Sequence, residues 1–357
     1  MNKKMERVVL ENLTPIHIGQ GNTLTKQEYV FDKEKMQISI INPDKLIEKI
    51  ENKGYTEKYM NLVKSLATPQ KTLQNLGINI AEVCYKPLKL QSLVYKKING
   101  KSVQNLNDIA CFISDMDSNL YIPGSSIKGF LVTAIAYKYM LEHPAIFKGI
   151  PTYEDIEKEV FMPQGRKGRD LRSFIQVSDS EPVSRDNVFI TSKEDLTPCK
   201  NIKINSLPIY REYIVPLTKF KFTMTNEYDQ LSQIGIKSFD DILVAVQKFT
   251  NKFIEIQNEF KEMAEREKGY KFKYSAETEL PNFMIGGGNG YFTKSLLHAI
   301  INDRKKLKDE VIKQLDASVK IHEHRLHDKI MSPRTIKLAK YNNSYYCVGM
   351  CKLSIEI

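Results

Sequence analysis

One stretch limits the fold more than any other. In "KFKFTMTN", Phe220, Phe222 and Met224 alternate with polar residues, the period-two pattern of a strand with one buried face. Shortly after it, Ile242, Val246, Phe249, Phe253, Ile256, Phe260 and Met263 recur at alternating steps of four and three. That spacing writes a long helix with a narrow apolar stripe, and "SFDD" supplies a capping-box start at Ser238. The stripe has two readings, packing on its own domain or docking on a neighbouring subunit.

Other segments alternate in kind. "RVVLENLTPIHIGQG" reads as a strand entering a glycine-containing loop, and "YVFDKEKMQISII" as a hairpin turning at residues 32–35. Asn42, Pro43 and Asp44 start a helix, with helical and mixed sequence up to about residue 115. "LRSFIQVSDS" and "PIYREYIVP" read as strands, a helical region is expected from about Lys294, and "YYCVGMCKLSIEI" reads as a closing strand. Hairpins mixed with helices exclude the regular βαβα order of a doubly wound sheet. We therefore expect α+β architecture, with two ferredoxin-like modules and helical insertions. With 357 residues the chain exceeds one small domain, and the expected division is 1–205 and 206–357.

No apolar run reaches membrane-spanning length, and "MNKKMERVVLENL" lacks the apolar core of a secretory signal, so a soluble intracellular protein is expected. Cys84, Cys111, Cys199, Cys347 and Cys351 form no C-x-x-C pair and read as free thiols in a reducing compartment. Net charge is +10, from 53 Lys and Arg against 43 Asp and Glu, which favours a polyanionic partner.

Two motifs look built for phosphate. "YIPGSSIKG" places Gly124, Ser125, Ser126 and Lys128 at the mouth of a helix. Ser125 or Ser126 is expected to cap it, while the unpaired N–H groups and Lys128 attract an anion; tight packing on a sheet explains the glycines equally. "GGGNGYFTK" has four glycines in five positions, Gly286, Gly287, Gly288 and Gly290, followed by Lys294. It matches neither a P-loop nor a dinucleotide fingerprint, but a sugar–phosphate backbone can approach it closely. Tyr291 and Phe292 can stack bases or begin a core.

The remaining candidates are weaker signals. His17, with Gly19 and Gly21 beyond it, offers a general base or a satisfied structural imidazole. Arg166, Lys167, Arg169 and Arg172 form a basic loop, and Arg211 beside Glu212 reads equally as an RNA contact or an ion pair. "IHEHRLHD" fits no zinc pattern and reads as a polar helix end. No cofactor motif, metal site or catalytic set is expected.

Taken in order, "LTPIHIGQGN", "YIPGSSIKG", "LRSFIQVSDS", "YREYIVP" and "GGGNGYFTK" resemble the RAMP superfamily of CRISPR proteins. The length and "SPRTIKLAKYNN…YYCVGMCKL" look most like the fifth-subunit family of type III-A (Csm) effector complexes. The resemblance implies two RRM-like domains and CRISPR RNA (crRNA) as the ligand. It implies a non-catalytic subunit that caps the backbone near the crRNA 3′ end and supports maturation of that end in antiviral defence. The implied partners are the repeated backbone RAMP subunit, the small helical subunit, cellular nucleases that trim crRNA, and target RNA indirectly. The implied RNA-side positions are Gly124, Ser125, Ser126, Lys128, Gly286, Gly288 and Gly290. The alternative is a metal-independent RAMP endoribonuclease with His17 as base.

Overall fold

The fold is drawn from a computed structural model that describes residues 3–147, 149–163, 168–197, 202–318, 321 and 323–356. Its organising sheet joins segments far apart in sequence. The first strand, Lys4–Asn12, pairs antiparallel with Lys219–Asn226 on one side and with Met350–Ile355 on the other. Lys219–Asn226 pairs in turn with the short strand Ile175–Val177. In chain order the unit runs strand Lys4–Asn12, helix Gly124–Glu142, strand Ile175–Val177, strand Lys219–Asn226, helix Phe239–Lys268, strand Met350–Ile355. The strands lie in the order fourth, first, third, second, all antiparallel. This is a βαββαβ ferredoxin-like module with long insertions.

Alternation in sequence produces its core. Val8, Leu10, Phe220, Phe222, Met224 and Leu353 are all buried and share one cluster with the two helices. The Phe130 ring meets Phe249 at 5.5 Å and Phe283 at 4.4 Å between centroids. The long helix starts at the expected capping box: the Asp241 amide donates to Ser238 Oγ, and the Ser238 amide donates to Asp241 Oδ2 at 3.0 Å. Its stripe turns inward, with Ile242, Val246, Phe249, Phe253 and Phe260 buried and Ile256 and Met263 half-buried. Of the two readings of that stripe, packing within the same chain is the one realised.

A second sheet is assembled from three insertions into the module. Strands Gly19–Leu24, Tyr29–Asp32, Gln37–Ile40, Leu88–Leu90 and Ile109–Phe112 come from the first. The central hairpin Val188–Thr197/Lys203–Ile214 comes from the second, and Phe272–Lys273, Ile336–Tyr341 and Ser344–Cys347 from the third. Position 205, where the two domains were expected to divide, lies within Lys203–Ile214, and both sheets take strands from either side of it. Helices Pro43–Asn52, Thr56–Lys64 and Pro69–Leu76 form a satellite around Leu46, Ile50, Leu73 and Leu76. Asn42 caps the first of these, accepting from the Lys45 amide at 3.1 Å.

Three local expectations change. Leu171–Phe174 is a 3-10 turn, and only Ile175–Val177 is strand. After the glycine loop the chain makes two 3-10 turns, Tyr291–Thr293 and Leu297–Ala299, and the regular helix begins only at Arg304. Asp303 sets that start by accepting from the Lys306 amide at 2.7 Å. The expected closing strand is two strands in different sheets, Ser344–Cys347 and Met350–Ile355, separated at Gly349 with φ of 90°. A side chain there would strike Ile285 O at 2.5 Å. Cys84, Cys347 and Cys351 are buried free thiols and Cys111 is half-buried. Cys199 lies outside the described residues. No helix among the described residues is long and apolar enough to cross a membrane.

Candidate nucleic-acid interface

The helix Gly124–Glu142 begins differently from its sequence reading. Pro123 occupies the cap position, and Ser125 and Ser126 lie inside the first turn rather than capping it. The cap comes from across the sheet: the Gly124 amide donates to Asp179 Oδ1 at 2.7 Å. Asp179 follows the strand Ile175–Val177, so a residue remote in sequence does what the local serines were expected to do. Gly124 is a packing glycine, because a Cβ there would lie 2.3 Å from Val177 O. Relieved of capping, the exposed Ser125 and half-buried Ser126 face a cleft.

The opposite wall of that cleft is the glycine loop. Gly286, Gly288 and Gly290 have φ of 100°, 91° and 96°, a region costly for any side chain. At Gly286 there is also no space, since a Cβ would sit 2.5 Å from His17 O. The Gly287 amide donates to that same carbonyl at 2.7 Å. His17 therefore holds the loop by its backbone. The residue is 5% exposed, and its Nδ1 bonds Glu212 O at 2.8 Å, which makes Nδ1 the donor. Burial lowers its pKa to about 4, with the Glu212 contact opposing and Arg211 adding to the shift. A neutral, enclosed ring of this kind is a structural post and a poor general base at neutral pH.

The cleft has a volume of about 560 Å³. It brings together Gly19, Ser125, Ser126, Gly286 and Lys294, five of the residues singled out in the sequence. Gly129 lines it too. No carboxylate occurs among the described residues lining it, and Lys294 is exposed. Hydroxyls, glycine backbone and one ammonium suit a sugar–phosphate chain. The wall also includes Thr133, Tyr153, Asn289 and Thr293, which sequence reasoning missed. Thr133 was findable, standing seven residues after Ser126 on the same helix face. Nothing in the sequence marked Tyr153.

Other candidates are placed elsewhere. Arg211 lies under the loop, where a Gly288 Cβ would be 2.7 Å from its Nη1. That Nη1 is buried and has no hydrogen-bond partner among the described residues. Arg211 is not paired with Glu212; adjacent strand residues face opposite ways, and the buried Glu212 carboxylate takes Arg185 and the Phe112 amide instead. Lys128 stands beside Asp170 and Arg172, outside the cleft wall, and burial lowers its pKa while Asp170 opposes the shift. Arg172 is held by Asp170 and Glu157, and Arg169 lies over the Phe174 ring at 5.1 Å. Gly21 is exposed with φ of 94°. Arg166 and Lys167 lie outside the described residues.

Phe292 is buried in the core, and Tyr291 Oη donates to Gln314 Oε1 at 2.8 Å, so both serve packing. His324 Nδ1 meets Asp328 Oδ2 at 2.7 Å, and Ser332 and Arg334 bind the same carboxylate. His322 lies outside the described residues. No group of three or more metal-ligating side chains occurs among those described.

Comparison with known proteins bears on what this cleft serves. The model of the RAMP superfamily matches residues 9–326. The chain is 29% identical over 374 residues to "CRISPR system Cms protein Csm5" of Streptococcus thermophilus, covering 98% of this chain and 97% of that protein. It is 24% identical to the protein of that name from Enterococcus italicus, over 100% of this chain and 99% of the relative. A chain in the cryo-EM structure of a Csm–crRNA–target RNA ternary complex of a type III-A CRISPR-Cas system has a similar fold. It matches with a TM-score of 0.62 at 18% identity, over 99% of this chain and 100% of that one. The crystal structure of T. onnurineus Csm5 matches with a TM-score of 0.56 at 19% identity, over 81% and 93%.

Proposed function

The chain belongs to the RAMP superfamily, and on that premise we propose that it is an RNA-binding, non-catalytic subunit of a type III-A (Csm) effector complex. In this reading it caps the backbone of repeated RAMP subunits near the crRNA 3′ end, in the cytoplasm. It supports maturation of that end by positioning it for cellular nucleases. The backbone RAMP subunit is its neighbour, the small helical subunit lies close by, and target RNA is met only through its pairing with the guide. Full-length likeness to proteins named Csm5 supports the assignment to this kind of complex.

The observation that carries RNA binding is the cleft itself. The first turn of one ferredoxin helix and a backbone-rich glycine loop face each other across about 560 Å³, with Lys294 at the edge and no acid among the described residues of the wall. Such a groove grips backbone without reading bases, leaving sequence to guide pairing. The non-catalytic clause is supported by His17, whose Nδ1 is committed to Glu212 O and whose burial keeps it neutral. Ultraviolet crosslinking of crRNA within the purified complex tests the reading, with adducts expected at residues 125–133 and 286–294. Crosslinks confined to other surfaces would refute the cleft as the RNA path. Incubation with repeat RNA in EDTA tests the enzyme alternative, which requires cleavage that His17→Ala abolishes.

A further inference from the structure

A second cavity, of about 440 Å³, shares Asn289 with the cleft and is closed on one side by Gly290, Tyr291 and Phe292. Its floor is the second sheet. Lys193 and Asp195 come from Val188–Thr197, and Lys337, opposite Asp195 in the register, from Ile336–Tyr341. Both lysines bond one oxygen: Lys193 Nζ lies 3.4 Å and Lys337 Nζ 3.0 Å from Asp195 Oδ2. The three side chains are only 19%, 22% and 11% exposed. Two ammonium groups thus share one carboxylate in a largely enclosed place, while Arg334 and His324 of the same wall are paired with Asp328, so among the described residues lining the cavity positive charge is in excess. A partly buried charge without a counterion is costly, so the cavity is a place for an anion.

The same cavity has acceptors with nothing to accept. Asp195 Oδ1 is buried with no hydrogen-bond partner among the described residues, and the residue is 8% exposed. Asn289 is 6% exposed; its Nδ2 donates to Ile285 O at 2.9 Å, but its Oδ1 is buried and has no partner among the described residues. Inorganic phosphate would satisfy the lysines and leave both acceptors empty. An uncharged polyol would do the reverse. We propose that this cavity binds a phosphorylated nucleoside, with phosphate on Lys193 and Lys337 and sugar or base donors on Asp195 and Asn289. Phe253, Leu207 and Met331 supply the apolar part of the wall. The volume falls in the range of small-molecule sites, about 300–1,000 Å³. The ligand can be a free mononucleotide or the terminal nucleotide of a bound RNA. The proposal goes beyond the RNA-cleft reading and does not require it.

Titration calorimetry on the full-length protein tests it, with adenosine and uridine 5′-monophosphates, adenosine and inorganic phosphate as probes. A monophosphate should bind about tenfold or more tightly than either adenosine or phosphate alone, the worth of one charge-assisted hydrogen bond. Lys193→Gln and Lys337→Gln should each weaken it by about the same factor. Circular dichroism and the apo melting point verify folding, and Lys193→Gln, which removes the longer of the two bonds to Asp195, keeps the test available should Lys337→Gln fail to fold. Monophosphates binding no better than phosphate or adenosine, or binding unaffected in a folded Lys193→Gln protein, would overturn the proposal. Competition by RNA oligomers separates the sources: displacement of the nucleotide by an RNA end assigns the site to a strand terminus, and simultaneous binding assigns it to a free nucleotide. Lys294→Ala, which tests the cleft, should leave nucleotide binding unchanged, so the two ideas fail separately.

Discussion

Adjacent glycines in the loop at 286–290 should respond very differently to the same substitution. Gly286→Ala forces a side chain into φ of 100°, costing about 1–2 kcal/mol. It also drives a Cβ to 2.5 Å from His17 O, the carbonyl that accepts from the Gly287 amide. Opening that hydrogen bond adds about 1 kcal/mol, for a total of about 2–3 kcal/mol. Gly287→Ala meets no atom closer than 3.7 Å and has no positive φ, so it should change stability by less than about 0.5 kcal/mol. Gly290→Ala has open space but φ of 96°, and should fall between, near 1 kcal/mol. Urea unfolding of the three variants supplies the ranking, and crRNA binding supplies its functional side. If the loop detaches without global unfolding, Gly286→Ala will instead show lost RNA affinity and faster exchange of the Gly287 amide. Equal behaviour of Gly286→Ala and Gly287→Ala, within about 0.5 kcal/mol and in both readouts, would refute the claim that His17 pins the loop.

Other outcomes are equally definite. His298 is 1% exposed among Tyr137, Phe249 and Phe292, with neither ring nitrogen hydrogen-bonded to a described residue and a pKa lowered to about 3 by burial and Lys252. Its folded pKa lies below the ordinary value of 6.5, so the unfolded chain binds the extra proton and stability falls as pH drops from about 6.5 toward 3. His298→Phe should remove up to about 1.4 kcal/mol per pH unit of that slope in urea melts between pH 4 and 6, while costing little at pH 7. Arg185→Ala leaves the buried Glu212 without its cation and should destabilise by about 3 kcal/mol; a loss under about 1 kcal/mol would mean solvent already compensates that carboxylate. Lys294→Ala should reduce the salt slope of RNA binding by about one phosphate, and Lys128→Ala, beside Asp170, should reduce it by less; the reverse order would place RNA on the Lys128 side.

What could be read directly from sequence was whatever depends on neighbours in the chain. Phe220, Phe222 and Met224 announced their buried face, and the stripe from Ile242 to Met263 announced its helix, because both follow from backbone periodicity alone. The Asn42 and Ser238 caps were legible for the same reason. The cap of Gly124 was not, because its acceptor is Asp179, brought in by a strand pairing that no local pattern encodes. Arg211 likewise left Glu212 for the glycine loop, since strand alternation separates neighbours that look like partners on paper. The cleft was half visible: its two walls carried recognisable motifs, but Tyr153 enters it from a helix with no functional signature.

The position of the first strand has a consequence for how the protein comes into being. Lys4–Asn12 is made before both of its sheet partners, Lys219–Asn226 and Met350–Ile355. On the ribosome it waits with both edges unpaired until those partners are made, carrying Val8, Val9 and Leu10. Long-range pairing of this kind makes folding slow, and unsatisfied apolar strand edges invite association with other chains. The insertions that build the second sheet can acquire local hairpins meanwhile, but the ferredoxin module closes only after residue 355 emerges. Yield in the cell should therefore depend on holdase chaperones, and on partner subunits arriving promptly, more steeply than the stability of the finished fold would suggest.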